Sequence, residues 1–342
     1  MKKRGLCLAG SITLVVLVSL SCLGCGDTKT SDEILLRYAF FAPAESFPAV
    51  QMEWWAEEME SRTNGQVKVQ TIPGGALFTA ENMFDGVLTG AADIGLSFVT
   101  YEPNRFPLLS LNDLPGLGYA NSSQATRAFF DVVWANQDID ELRAYQVITA
   151  FCTEPSYIQT INEYSTLESL EGVHIRTPGG PEVLEALGAV GVYMPQSEIQ
   201  QALEHFLIDG IVTSREVLKG FNYAERIKFV INKPLGQVSA LAVMKRDRYD
   251  ALPEKVKEVI NELAPLAAAY AGETLDEQVR TSLEWSIETQ GVKVVELSDE
   301  TSKEFDDALI SLTNRWIDRV AARGLPADDF YKKLREAAAK YD

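Results

Sequence analysis

The chain has 342 residues, 31 Lys plus Arg, 49 Asp plus Glu and a formal net charge of −18. Hydrophobic residues make up 46% and aromatics 9%, enough for a packed core, which excludes wholesale disorder. The acidity argues against a nucleic-acid partner, because phosphate binding needs clustered Lys and Arg, and the length allows two ordinary domains or one large one.

Lys2, Lys3 and Arg4 precede an apolar stretch from Leu6 to Leu23, the pattern of a secretory signal. An uncleaved membrane anchor is the alternative, since the stretch approaches the ~18 residues that a span needs. Cys22-Leu23-Gly24-Cys25 followed by the polar run Gly26 to Glu33 favours cleavage. It resembles a bacterial lipobox, in which a cysteine becomes the first residue and carries lipid; Cys25 fits best and Cys22 is the alternative. Removing residues 1–24 deletes three positive charges, so the charge becomes 28 − 49 = −21. Cys7 and Cys22 leave with the signal, Cys25 is lipidated and Cys152 stands alone, so no intramolecular disulfide is expected. Cys152 is expected to be buried.

Ile34 to Phe40 predicts a buried strand, Phe47 to Arg62 a helix stopped by Asn64-Gly65, and Gln66 to Ile72 a half-buried strand. A turn at Pro73-Gly74-Gly75, a helix over Thr79 to Leu88 and a strand over Ala92 to Phe98 follow. Strand, helix, strand, helix, strand is the signature of a parallel α/β sheet. A second set of strands begins at Gln146–Phe151 and continues at 156–162, 172–177, 190–194, 210–213, 229–232 and 239–244, with short helices at 181–187 and 197–206. Beyond Pro253 the pattern is helical to Gln290, with Pro265 and Gly272 expected to kink or break it; a strand at 291–296 and two terminal helices close the chain.

The expected fold class is therefore α/β, with two lobes facing across a cleft at strand carboxyl ends. Nucleotide-binding glycine motifs, a Gly-x-Ser-x-Gly elbow and metal-spaced His/Cys sets are absent from the sequence. A binding protein thus outranks an enzyme, and no cofactor or metal is expected. A carboxylate-based enzyme and a ligand-sensing subunit for a membrane receptor are the alternatives.

Several segments are more specific. Trp54-Trp55-Ala56-Glu57-Glu58-Met59 through Val69, then Pro73-Gly74-Gly75-Ala76-Leu77, resembles the start of DctP-type solute-binding proteins of tripartite ATP-independent periplasmic (TRAP) transporters. Gly86 to Gly95, Phe106-Pro107-Leu108, Asp113-Leu114-Pro115, Leu170 to Gly180, Leu187-Gly188-Ala189, Met194-Pro195, Gln201-Ala202-Leu203 and Ile208-Asp209-Gly210 keep the family order. The resemblance implies a type II-like periplasmic-binding-protein fold with a long helix spanning both lobes. It implies a signal peptide at 1–24, a tether at 25–33, one lobe from 34–153 plus 242–285 and the other from 154–241 plus 286–342. It further implies a periplasmic, lipid-anchored protein that captures a small organic acid and passes it to TRAP permease subunits.

In that family an arginine of the Gly-x-x-Ile-Arg motif grips the ligand carboxylate, and the matching residue is Arg176. The chemistry is sound by itself, since a guanidinium meets a carboxylate through two parallel hydrogen bonds. Ser156 falls where relatives that bind polar acids carry a further arginine, which favours a monocarboxylate. Phe41, Glu81, Tyr101, Phe151, Glu154, Gln196 and Thr213 complete the candidate ligand-binding set.

Overall fold

A computed structural model of the chain describes residues 33–341. The expected signal, Cys22, Cys25 and all of the tether except Glu33 lie outside the described residues. The elements in chain order are β1 (Ile34–Phe40), α1 (Phe47–Arg62), β2 (Val67–Ile72), α2 (Met83–Leu88), β3 (Ile94–Phe98), α3 (Ser122–Ala135), β4 (Tyr145–Cys152) and β5 (Tyr157–Thr160). Then come α4 (Leu167–Leu170), β6 (His174–Thr177), α5 (Glu182–Ala186), β7 (Val190–Tyr193), α6 (Ile199–Glu204), β8 (Gly210–Thr213), α7 (Val217–Gly220) and β9 (Phe229–Ile231). The chain ends with β10 (Ser239–Lys245), α8 (Arg246–Asp250), α9 (Glu254–Gln290), β11 (Lys293–Val295), α10 (Asp299–Ala321) and α11 (Ala327–Lys340).

Two sheets result. The first has the order β2-β1-β3-β10-β4, and the second β11-β9-β5-β8-β6-β7. β1 pairs in parallel with β2 and β3, as its strand–helix–strand pattern predicts, whereas β10 runs antiparallel to both β3 and β4. Every residue of β4 is buried, because the strand is covered by α3 on one side and α9 on the other. Its polar Thr149 is accommodated by donating to the Ala264 carbonyl at 2.9 Å. Cys152, at its end, is buried as expected.

α9 corrects one expectation. It runs unbroken for 37 residues through Pro265 and Gly272. Pro265 lies on the solvent face, where the carbonyl of Asn261 that loses its amide partner can be hydrated. The apolar stripe Val256, Ile260, Leu263, Ala267, Ala271 and Leu275 continues past both residues into the core. Gly272 serves packing: a Cβ there would meet the Cα of Ser123 at 2.9 Å. One turn later Asp276 accepts from the amides of Ser122 and Ser123 at 2.8 and 3.1 Å, so α9 docks against the first turn of α3. Farther on, Leu283 and Trp285 pack into the second half's core, so α9 spans both lobes.

Two further segments cross between the sheets and are stitched to each other. Thr153 N–H donates to the Val238 carbonyl at 2.9 Å, and Ser156 N–H to the Gly236 carbonyl at 2.8 Å. β10 begins at Ser239, inside the segment that the sequence assigns to the second lobe. The carboxyl-terminal segment also departs from that assignment. α10 starts on the second half through Phe305 and Leu309 and ends on the first through Ile317 and Val320. α11 packs wholly on the first half, with Phe330 and Leu334 buried in the cluster that contains Phe129 and Val133 of α3. α3 itself, α4, α7 and α8 had no sequence expectation.

Candidate functional site

Between the halves lies a cleft of about 750 Å³. Its walls are the carboxyl ends of strands: Phe40 and Phe98 from the first sheet, and Arg176 and Thr213 from the second. The crossing segments contribute Thr153, Ser156 and Val238, and α9 contributes Gln278, Thr281 and Ser282.

One wall is aromatic. The ring of Phe41 lies 4.7 Å from Phe40, 5.9 Å from Phe98 and 5.5 Å from Tyr101, the last two edge-on. Such edge-to-face sets fix the rings and offer a flat apolar face to a planar ligand. Burial raises the Tyr101 phenol above its ordinary range, and the nearby Arg176 charge opposes that rise.

Opposite stands Arg176. It sits on β6, the strand next to the edge of the second sheet, paired to β7 and β8, and is only 3% exposed. Its Nε donates to the Met194 carbonyl at 2.8 Å. Among the described residues no carboxylate pairs with it. Its surroundings are phenols, those of Tyr101, Tyr193 and Tyr223, and desolvation lowers its pKa from the ordinary arginine value. A buried guanidinium without a counter-ion is costly by several kcal/mol. The arrangement is therefore incomplete until an anion completes it.

The cleft brings together Arg176, Phe41, Tyr101, Ser156, Gln196 and Thr213 of the residues expected from sequence. It leaves out Phe151, which is fully buried and packs edge-on against Phe47 at 5.9 Å. Glu154 is committed elsewhere. Its carboxylate accepts from Arg215 Nε at 2.9 Å, from Arg215 Nη2, and from the Arg215 amide at 2.9 Å. Arg215 also stacks on Tyr157, 4.0 Å from the ring centroid. Glu81 is exposed in a single 3₁₀ turn and faces the Tyr193 phenol rather than lining the cleft.

Sequence reasoning missed Phe98, Glu216, Lys219 and the Met194 carbonyl. Phe98 was hidden as an apolar strand residue. Glu216 and Lys219 lie around α7, a four-residue helix too short to leave a period.

The model of the bacterial extracellular solute-binding protein, family 7 (DctP), matches residues 39–319. A TRAP periplasmic solute-binding protein from Desulfovibrio salexigens is 35% identical, with 91% of this chain and 97% of that one covered and a TM-score of 0.84. A marine-metagenome TRAP protein specific for aromatic acid ligands, solved with 3-hydroxybenzoate, is 27% identical, with coverage of 91% and 99% and a TM-score of 0.83. Among curated proteins, the outer membrane transporter protein TsaT of Comamonas testosteroni is 24% identical over 96% of this chain and 97% of its own length. With more than half its length matched by the family model and the fold shared across its relatives, the chain belongs to the DctP family of TRAP solute-binding proteins.

Proposed function

We propose that the protein captures a small organic acid with a single carboxylate and an aromatic body, and delivers it to a TRAP permease for uptake without altering it. The observation that carries this is the buried, unpaired guanidinium of Arg176 facing a wall of aromatic rings. A carboxylate would meet the free terminal nitrogens of Arg176 through two parallel hydrogen bonds, in a cleft where screening is weak. The ring of an aromatic acid would then lie against Phe41 and Tyr101, with Ser156, Gln196 and Thr213 offering polar contacts at its edge. That the marine-metagenome relative binds 3-hydroxybenzoate supports the aromatic body. One carboxylate is favoured because, among the described residues, Lys219 is the other cation lining the cleft, and it is exposed near the Trp285 ring. The location that fits is the periplasm, with a lipid on Cys25 holding the protein to the membrane.

A thermal-shift screen over mono-, di- and aromatic carboxylates tests the proposal. A ligand at 100 times its dissociation constant adds roughly 2.7 kcal/mol of stability. Recovery of the bound acid unchanged by mass spectrometry is expected, and turnover would contradict a transport role. If no carboxylate raises the melting temperature, or if Arg176→Ala binds as the parent does, the proposed site is wrong.

A further inference from the structure

The cleft has an acidic pole as well as a cationic one. β6 and β8 are adjacent and parallel, with Arg176 opposite Ile211. Thr213 therefore lies two residues, roughly 7 Å, farther along the strand direction. The chain then turns through Ser214 and Arg215 to Glu216, and Thr213, Ser214 and Glu216 all line the cleft. Arg176 and Glu216 line the same cleft, so a ligand held at one can extend to the other.

Among the described residues Glu216 has no cation paired with it. Arg215, its neighbour in sequence, is spent on Glu154 through both side chain and backbone. Lys219 makes no ion pair with it among the described residues, and its Nζ sits 6.0 Å from the Trp285 ring. The one side-chain partner of Glu216 is the Ser214 hydroxyl, which also lies 3.4 Å from Glu154 Oε2, so a single hydroxyl proton stands between two carboxylates. The amides of Glu216 and Val217 lie against the same group. A carboxylate has about four acceptor positions, so acceptor capacity remains on a residue that lines the cleft. Burial and the negative charge of Glu154 push the Glu216 carboxyl up to about 7, as an uncompensated acid in a partly dry wall should be.

Building on the organic-acid function proposed above, we infer that Glu216 is a specificity-determining residue. It accepts a hydrogen bond from a hydroxyl at the end of the ligand remote from its carboxylate, and it repels a second carboxylate at that position. The preferred class is then a hydroxy-substituted aromatic monocarboxylate. A dicarboxylate of the same size would bring two acids together in the cleft and lose on charge alone.

Calorimetric titration of the full chain at pH 8.5, where the Glu216 carboxyl is ionised, with benzoate, 3-hydroxybenzoate, 4-hydroxybenzoate and isophthalate tests this. In the parent, the better hydroxybenzoate is expected to bind about tenfold tighter than benzoate, as a hydrogen bond to a charged acceptor provides, and isophthalate weaker than either. In Glu216→Ala the ratio between hydroxybenzoate and benzoate is expected to fall towards one. In Glu216→Gln, whose amide oxygen still accepts, part of the ratio should survive while isophthalate gains. The ratio is taken within each variant, so a general weakening cancels. A parent without hydroxyl preference overturns the inference while benzoate binding keeps the organic-acid proposal. A preference that survives Glu216→Ala overturns it equally. If the parent binds none of these acids but another carboxylate raises its melting temperature, the hydroxy-aromatic assignment alone falls; if no carboxylate binds, the underlying proposal falls and takes the inference with it.

Discussion

The Nε of Arg176 donates to the Met194 carbonyl at 2.8 Å. Met194 follows β7, so the bond ties the arginine to the neighbouring strand and fixes the plane of its guanidinium. With Nε occupied, the two terminal nitrogens are the ones available to a ligand, which presets the direction from which a carboxylate must approach. Preorganisation of this kind reduces the ordering cost at binding.

The cost of that preorganisation falls on the empty protein. Arg176→Met removes a buried charge with no counter-ion while keeping much of the volume. The empty variant is expected to melt at or above the parent temperature. Its affinity for the cognate acid is expected to fall at least about 30-fold, since truncating one partner of a buried pair costs about 2–5 kcal/mol. Melting curves with and without acid measure both effects. A variant that is both less stable when empty and still competent to bind would contradict this role.

The Glu154–Arg215 pair behaves oppositely, because there both partners are present. Glu154 is 3% exposed and the Arg215 side chain 15%, and Glu154→Ala leaves Arg215 charged and unsatisfied. A loss of about 3–5 kcal/mol is expected in chemical denaturation. A loss below 1 kcal/mol would mean that Arg215 finds water or another acceptor.

Close approach of α9 to α3 depends on a missing side chain. Gly272→Val puts a branched side chain where even a Cβ would sit 2.9 Å from the Cα of Ser123. The expected destabilisation is about 1–3 kcal/mol. Gly272→Ala should fall between the parent and the valine variant, and an unchanged melting temperature for valine would show that the helices can separate freely.

Stability is expected to fall as pH rises from about 4 to about 8. Asp113, whose Oδ2 is buried without a partner among the described residues, has its carboxyl pushed up to about 8 by burial. Glu141 is pushed up to about 7 by burial, although it accepts from the amides of Leu108 and Leu109. In the unfolded chain both ionise near pH 4. Over this window the native state retains protons that the unfolded chain has released, so raising the pH favours unfolding, and the effect levels off above pH 8. Asp113→Asn keeps the acceptor for the Ser239 amide without a titrating proton. The difference in melting temperature between pH 5.5 and 8.5 should therefore shrink in that variant. An undiminished difference would place the effect on other groups.

Much of this architecture was readable beforehand where the pattern is long. The limits of α1 and the parallel start of the first sheet followed from periodicity and stop signals. Arg176 came from a motif and not from periodicity, because a lone arginine at a strand end has many fates. Glu154 and Phe151 were misplaced for a shared reason: sequence puts them beside the crossing segment but cannot say towards which face they turn. The partner that claims Glu154 lies 61 residues away. The return of α11 to the first half is a long-range packing choice, fixed by Phe330 and Leu334 meeting the exposed side of α3.

That return has a consequence for how the protein is made. The first half draws its strands from residues 34–152 and 239–245, and its last core residue is Ala338. Neither half is a continuous stretch of chain, so neither has a natural breakpoint at which it could be synthesised and fold alone. The emerging polypeptide cannot complete its first core until Ala338 has been synthesised, and contacts of such long sequence separation form slowly. The order of the elements thus acts as a timer that keeps the growing chain open until α11 has emerged.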